Sequence, residues 1–213
     1  MVKGLVFRFL PLSLAAFAFG GAVAVVTTDH GSSALRFLEG TSSVPLPAYA
    51  GDLPDVALET SDGTRTSFAA TNGHVRIATL FYSHCPGVCP MTLETLRGIE
   101  GQLTQEQRSK LNVVLISVDP SRDTPAQMRA MAAEHRIESA RWLFGRTSSA
   151  DLATFAKAAH INYRLLSDGS IDHSSALVLL NEKGGVIART SDAEGSREFD
   201  NAVRQAVDSA GTR

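Results

Sequence analysis

Val75-Arg76-Ile77-Ala78-Thr79-Leu80-Phe81-Tyr82-Ser83-His84-Cys85-Pro86-Gly87-Val88-Cys89-Pro90 changes character halfway. Its first half, Val75 to Tyr82, is an apolar run broken only by Arg76, as expected of a strand buried on both faces. Its second half carries both cysteines of the chain and ends at Pro90, where a helix can begin, and Leu93, Leu96, Ile99 and Leu103 follow at helical spacing. The pair Cys85 and Cys89 therefore sits on a strand-to-helix turn. Unsatisfied amides and the dipole at a helix start favour thiolate, so both thiols are expected to be activated there. If the intervening residues curl into the first turn, both sulfurs share one face, close enough for a disulfide or a common metal ion. The bland alternatives are two inert buried cysteines or a structural disulfide. The latter closes so short a loop that it has little stabilisation to offer.

Outward from this segment, short extended runs from Val56 flank the Ser61-Asp62-Gly63 turn signal and predict an opening hairpin. Asn112 to Val118 predicts a second buried strand. Thr124-Pro125 caps a helix with Met128, Met131 and Ala132 inward, and Arg141 to Phe144 predicts a short strand. Ser149 is the expected N-cap of a helix reaching His160, with Leu152, Phe155, Ala156 and Ala159 on one stripe. Ala176 to Leu180 and Val186 to Ala188, joined by Asn181 to Gly185, predict a closing hairpin, and Ser196 opens a last helix. The order ββ-β-α-β-α-β-α-ββ-α describes an α/β three-layer sandwich with a central mixed sheet.

The N-terminus adds a separate signal. Lys3 and Arg8 precede an uncharged stretch, Phe9 to Val26, rich in Leu, Ala, Phe and Val. That length lies between a cleavable signal peptide and a short membrane anchor. Pro11, the Gly20-Gly21 pair and the small-x-small site Ala22-Val23-Ala24 favour cleavage, whereas the apolar continuation through Val25 and Val26 favours an anchor. In either case positive residues stay inside and everything after Thr27 faces the far side of the membrane, the periplasm for a bacterial chain. Residues 1–26 are thus an export segment, 27–50 a Ser-, Gly-, Thr- and Pro-rich linker, and 51–213 a single domain. A formal net charge of −2 with no basic or acidic block excludes a nucleic-acid partner.

Three blocks in order carry a family resemblance: Tyr82-Ser83-His84-Cys85-Pro86-Gly87-Val88-Cys89-Pro90, then Ser117-Val118-Asp119-Pro120-Ser121-Arg122-Asp123-Thr124-Pro125, then Asp172-His173-Ser174-Ser175 before an apolar strand and a turn with Gly184-Gly185. Together they resemble the Sco/SenC copper proteins over roughly Leu53 to Arg189. The resemblance implies a thioredoxin-like fold with an inserted hairpin and copper ligands Cys85, Cys89 and His173. It also implies a copper chaperone for the dinuclear copper centre of a respiratory oxidase subunit. Two thiolates and an imidazole form a soft set that suits Cu(I) and can hold Cu(II). Two departures stand out. Many members have an acidic residue where this chain has Gly87, and the segment Ser167 to Ile171 before His173 is short.

Other readings of the same residues remain open. Two cysteines, a histidine and an open position also describe some zinc sites. Cys85 and Cys89 are equally the catalytic pair expected of a thiol-disulfide oxidoreductase, one thiolate attacking a client disulfide and the other resolving it. Peroxide reduction would need a peroxidatic cysteine with a nearby arginine, a signature the Cys-x-x-x-Cys spacing does not supply. Asp119, Arg122 and Asp123 after the second strand read as a structural clamp near the site. His84 is expected to face away from Cys85, Met128 and Met131 to be core, and His30, His74, His135 and His160 to have no special role.

Overall fold

The computed structural model describes residues 51–211, apart from 86, 138–139, 168 and 191–195. The export segment and the linker expected over 1–26 and 27–50 lie outside the described residues. None of the described helices is long and apolar enough to cross a membrane.

The buried strand expected at Val75 is β3, Val75–Phe81, and all seven of its residues are buried. It lies in a seven-stranded sheet with β1 (Ala57–Thr60), β2 (Arg65–Ser67), β4 (Leu111–Ser117), β5 (Trp142–Arg146), β8 (Leu177–Leu180) and β9 (Val186–Thr190), in the order β2-β1-β5-β4-β3-β8-β9. β3, β4 and β5 are parallel, while β1 and β8 join them antiparallel, so the sheet is mixed as expected. The helices are α1 (Val88–Gly101), α2 (Gln105–Ser109), α3 (Pro125–Glu134), α4 (Ser149–Ala158) and α5 (Arg197–Ser209).

Neighbouring residues of β3 face opposite sides of the sheet, which identifies the layers. Val75 lines a cavity of about 630 Å³ with Ala202, Ala206 and Ala210 from α5 and its end. Arg76 points the other way and lies over the Phe68 ring at 4.9 Å. Phe68 meets Phe155 of α4 edge-on at 4.9 Å. Arg76, the one charge in the run, is fully buried, and its Nη1 donates to the Phe68 carbonyl and to Thr71 Oγ1.

The starts of α3, α4 and α5 follow capping chemistry. Thr124 Oγ1 accepts from the Gln127 amide with Pro125 as the first helical residue, and Ser196 Oγ accepts from the Phe199 amide. For α4 the cap is Ser148, whose Oγ accepts from the Asp151 amide, and not Ser149, which is already helical. Met128, Met131, Leu152, Phe155, Ala156 and Ala159 are buried as their spacing predicts.

The structure adds to the expected order a single 3-10 turn at Ala69–Thr71, the short helix α2 and a further hairpin. α2 is five polar residues long, held by a capping box in which Thr104 and Gln107 bond reciprocally. Between α4 and β8, β6 (Tyr163–Leu165) and β7 (Ile171–His173) form an antiparallel hairpin apart from the main sheet. Its turn contains Gly169 at φ +82°, a left-handed conformation that glycine adopts without steric cost.

Candidate metal centre

β3 delivers the chain to the C-terminal edge of the parallel strands, a usual place for functional loops in α/β sheets. After Tyr82 the backbone turns, with the Cys85 amide donating to the Tyr82 carbonyl at 3.3 Å, and α1 starts at Val88. Cys85 therefore precedes the helix, half-buried, while Cys89 lies in its first turn and is only 4% exposed. The Cys89 amide, one of the orphan donors of the helix start, donates to Cys85 Sγ at 3.4 Å. No disulfide joins the two cysteines.

The third group arrives from the hairpin. His173 is the last residue of β7, opposite Tyr163, and the Ser174 amide and Oγ close the base of the hairpin on Asn162. His173 Nδ1 lies 3.2 Å from the Ser174 carbonyl. A carbonyl only accepts, so Nδ1 carries the proton and Nε2 presents its lone pair. Nε2 lies 3.9 Å from Cys89 Sγ, and the ring meets Tyr82 edge-on at 5.7 Å.

The two Sγ atoms and the imidazole nitrogen all lie within 4.8 Å of one another. Donors about 2.0–2.3 Å from an ion, spread around it, stand roughly 3.5–4 Å apart. The Cys89–His173 spacing already matches, and small rotations of Cys85 would close the rest. The set could hold a soft ion with a position left open, and Cys85 and His173 are accessible enough for an exchanging partner to reach it.

The two thiols differ sharply, which corrects the expectation that the helix start activates both. Burial pushes Cys85 up, but the amides of Cys89 and Gly87, the Cys89 thiol and the Tyr82 hydroxyl all donate to its sulfur and leave its pKa lowered. Cys89 is raised well above the ordinary thiol range, first by burial and further by the neighbouring Cys85, despite a bond from the Tyr82 backbone. Burial likewise lowers His173, against the Ser174 carbonyl and Asp172, which favours the neutral form that binding a metal would require. At neutral pH and limiting iodoacetamide, Cys85 is therefore expected to alkylate well before Cys89. Peptide mass mapping checks the order, and equal labelling would contradict the asymmetry. Because the nucleophile is the thiolate, the Cys85 rate should also rise at lower pH than for an unfolded control peptide.

Tyr82 has a part that its place in the sequence motif did not disclose. Burial, then its bond and charge interaction with Cys85, push its hydroxyl up to about 12, against the opposing effect of the Ile171 amide. It thus stays a donor to the Cys85 sulfur. A hydroxyl-bearing aromatic at the strand end, three residues before a cysteine, was the available signal.

The clamp expected of the second motif is present. Asp123 is fully buried and accepts from the Ser83 amide (3.1 Å) and Ser83 Oγ (2.5 Å) through one oxygen and from Ser117 Oγ (2.5 Å) through the other. Asp119 pairs with Arg122, whose Nη2 donates to the Gly169 carbonyl at 2.9 Å. His84 is exposed, in a turn rather than a strand, with Nδ1 3.0 Å from Ser83 Oγ. Gly87 is exposed, and a Cβ there would meet nothing within 4 Å.

The family model described as SCO1/SenC matches residues 54–208. A protein of Stutzerimonas stutzeri whose name describes copper binding is 30% identical over 139 residues, 63% of this chain and 66% of that protein. The mitochondrial protein SCO2 homolog of Bos taurus is 30% identical over 131 residues, 58% of this chain and 48% of its own length. The matches thus span less than two thirds of either relative. The solved structure of Arabidopsis thaliana ScoI with copper bound is similar at a TM-score of 0.61 and 21% identity, over 74% of this chain and 97% of that one. That likeness extends to the thioredoxin-like fold.

Proposed function

Since the chain belongs to the SCO1/SenC family, we propose that it is an extracytoplasmic copper chaperone in which Cys85, Cys89 and His173 hold the ion. One observation carries this reading: two sulfurs and one imidazole nitrogen, from two separate elements, converge within 4.8 Å. Copper is the cargo such donors favour, because thiolates select the monovalent ion and the imidazole lets the set accept the divalent one. The named copper proteins among its relatives and fold neighbours support the same ion. Zinc would accept the same donors.

The client in this proposal is a copper-containing oxidase subunit. In support stands a fold neighbour from the Sco family of cytochrome c oxidase assembly proteins. Lys3, Arg8 and the apolar stretch Phe9 to Val26 support a place on the periplasmic side of the bacterial inner membrane, anchored if the segment is uncleaved and soluble if it is cut.

The asymmetry of the thiols favours a second activity at the same residues. A lowered, half-buried Cys85 is suited to attack a client disulfide. The buried Cys89 would then attack the mixed disulfide, oxidising the pair and returning two thiols to the client. Reduction of a client's copper ligands would precede loading, so the two activities are compatible.

Anaerobic titration of the reduced protein is expected to give one copper ion per chain. In cells, a deletion strain should lose oxidase activity at low copper and recover substantially when copper is added, because a carrier only raises the local supply of an ion that mass action can replace. A deletion phenotype that ignores copper but yields to a chemical reductant would make disulfide reduction the primary role.

A further inference from the structure

The three donors come from two pieces of chain that have no strand pairing with one another. Cys85 and Cys89 belong to the β3–α1 turn, and His173 belongs to the β6–β7 hairpin, a sheet separate from the main one. Something must fix their separation. Consecutive residues of the β4–α3 loop reach both pieces. Asp123 grips Ser83, two residues before Cys85, through the Ser83 amide and hydroxyl. Arg122 grips the Gly169 carbonyl in the turn of the hairpin that ends at His173.

We propose that Arg122 and Asp123 are positioning residues with divided duties: Asp123 sets the cysteine turn and Arg122 sets the histidine hairpin, so that one rigid loop fixes the distance between the two halves of the donor set. The loop is well suited to that. The Asp123 carboxylate is held from β4 by Ser117 Oγ, whose oxygen also accepts the Asp119 amide. Asp119 in turn accepts from Ser121 Oγ and pairs with Arg122. The amides of Arg122 and Asp123 both donate to the Asp119 carbonyl. Both grips therefore trace back to the end of a central, fully packed strand. A partner bonded to a metal ligand itself typically governs affinity by about 10–100-fold, and a grip one step further out is expected at the lower end of that range.

The assignment rests on the copper reading for one arm of its test and is independent of it for the other. The metal-free arm is hydrogen exchange with the thiol-disulfide equilibrium against glutathione. Arg122→Ala is expected to speed amide exchange over Ile171–His173 while leaving the Cys85–Cys89 turn and its redox equilibrium at parental values. Asp123→Asn, and the milder Ser83→Ala in case the former folds poorly, should do the reverse. The copper arm then follows. Arg122→Ala should weaken Cu(II), which needs the imidazole, by about 10-fold while leaving Cu(I) on its two thiolates near the parental affinity. Asp123→Asn and Ser83→Ala should weaken both ions. Arg122→Lys, which keeps a cationic donor group, should recover part of the Cu(II) affinity. Arg141→Ala breaks a comparable pair with Glu100 beside the start of β5, at the other end of the sheet, and should leave every readout unchanged.

Equal effects of Arg122→Ala and Ser83→Ala on both pieces would overturn the division of duties, as would parental behaviour of either. A parental protein that binds no copper would instead overturn the copper reading, with the exchange and redox results still deciding this one.

Discussion

Cys89→Ala and Cys85→Ala are each expected to lose tight copper binding, and His173→Ala to lose it for Cu(II) while keeping most of it for Cu(I). The magnitude follows from comparison with outer partners. Removing a group that merely orients a ligand costs about 10–100-fold, so removing a thiolate ligand from a set of three should exceed the top of that range. The structure supplies no replacement for either thiol, because Cys85 and Cys89 are the only cysteines of the chain. The split at His173 has a separate cause. Two thiolates can hold a monovalent ion by themselves, whereas Cu(II) prefers a set containing nitrogen. The neutral imidazole, with Nε2 3.9 Å from Cys89 Sγ, is the nitrogen in place. Competition titration with a Cu(I) chelator, beside a Cu(II) titration read by sulfur-to-copper charge-transfer absorption, measures both. Equal Cu(II) affinity in His173→Ala and the parent would remove His173 from the centre.

Oxidation is expected to be as severe as mutation. Forming the Cys85–Cys89 bond takes two electrons and two protons from the thiols and leaves neither sulfur a thiolate, so the oxidised protein should bind no copper tightly and should recover fully on reduction. The bond is sterically accessible. The sulfurs lie within 4.8 Å, and Cys85 sits on the turn before α1, where it can swing without unwinding the helix. Thiol counting before each titration makes the result unambiguous. Copper retained by fully oxidised protein through these residues would rule out the three-donor centre.

The parts of this architecture legible in the sequence are those where burial imposes a pattern. Val75–Phe81 and Leu111–Ser117 are central strands covered on both faces, so nearly every position is apolar and the runs announce themselves. The α4 stripe at Leu152, Phe155 and Ala156 was readable for the same reason. The α2 helix escaped because Gln105–Ser109 has no buried residue and hence no period, although the Thr104 and Gln107 capping box was a local signal. The β6–β7 hairpin escaped the periodicity reading, and only the family resemblance implied an inserted hairpin, because its strands are three residues long and half exposed, with Leu165 at 68% exposure, so alternation had no room to show. At the candidate site, the three groups that converge, Cys85, Cys89 and His173, were legible as residue types in order. What was not legible is which thiol is activated: the opposite pKa shifts of Cys85 and Cys89 come from how deeply each is packed and from Tyr82, quantities fixed only by the tertiary structure.

Gly87 is open to solvent on the turn that carries the thiols, and a Cβ there would meet nothing within 4 Å beyond its own chain neighbours. Every glycine codon is one nucleotide from a codon for aspartate or glutamate. A lineage carrying this chain can therefore place a negative charge beside Cys85, or withdraw it, in a single mutational step that disturbs no packing. Discrimination among electrically different clients could diverge quickly between duplicated copies while the core and the donor set stayed the same.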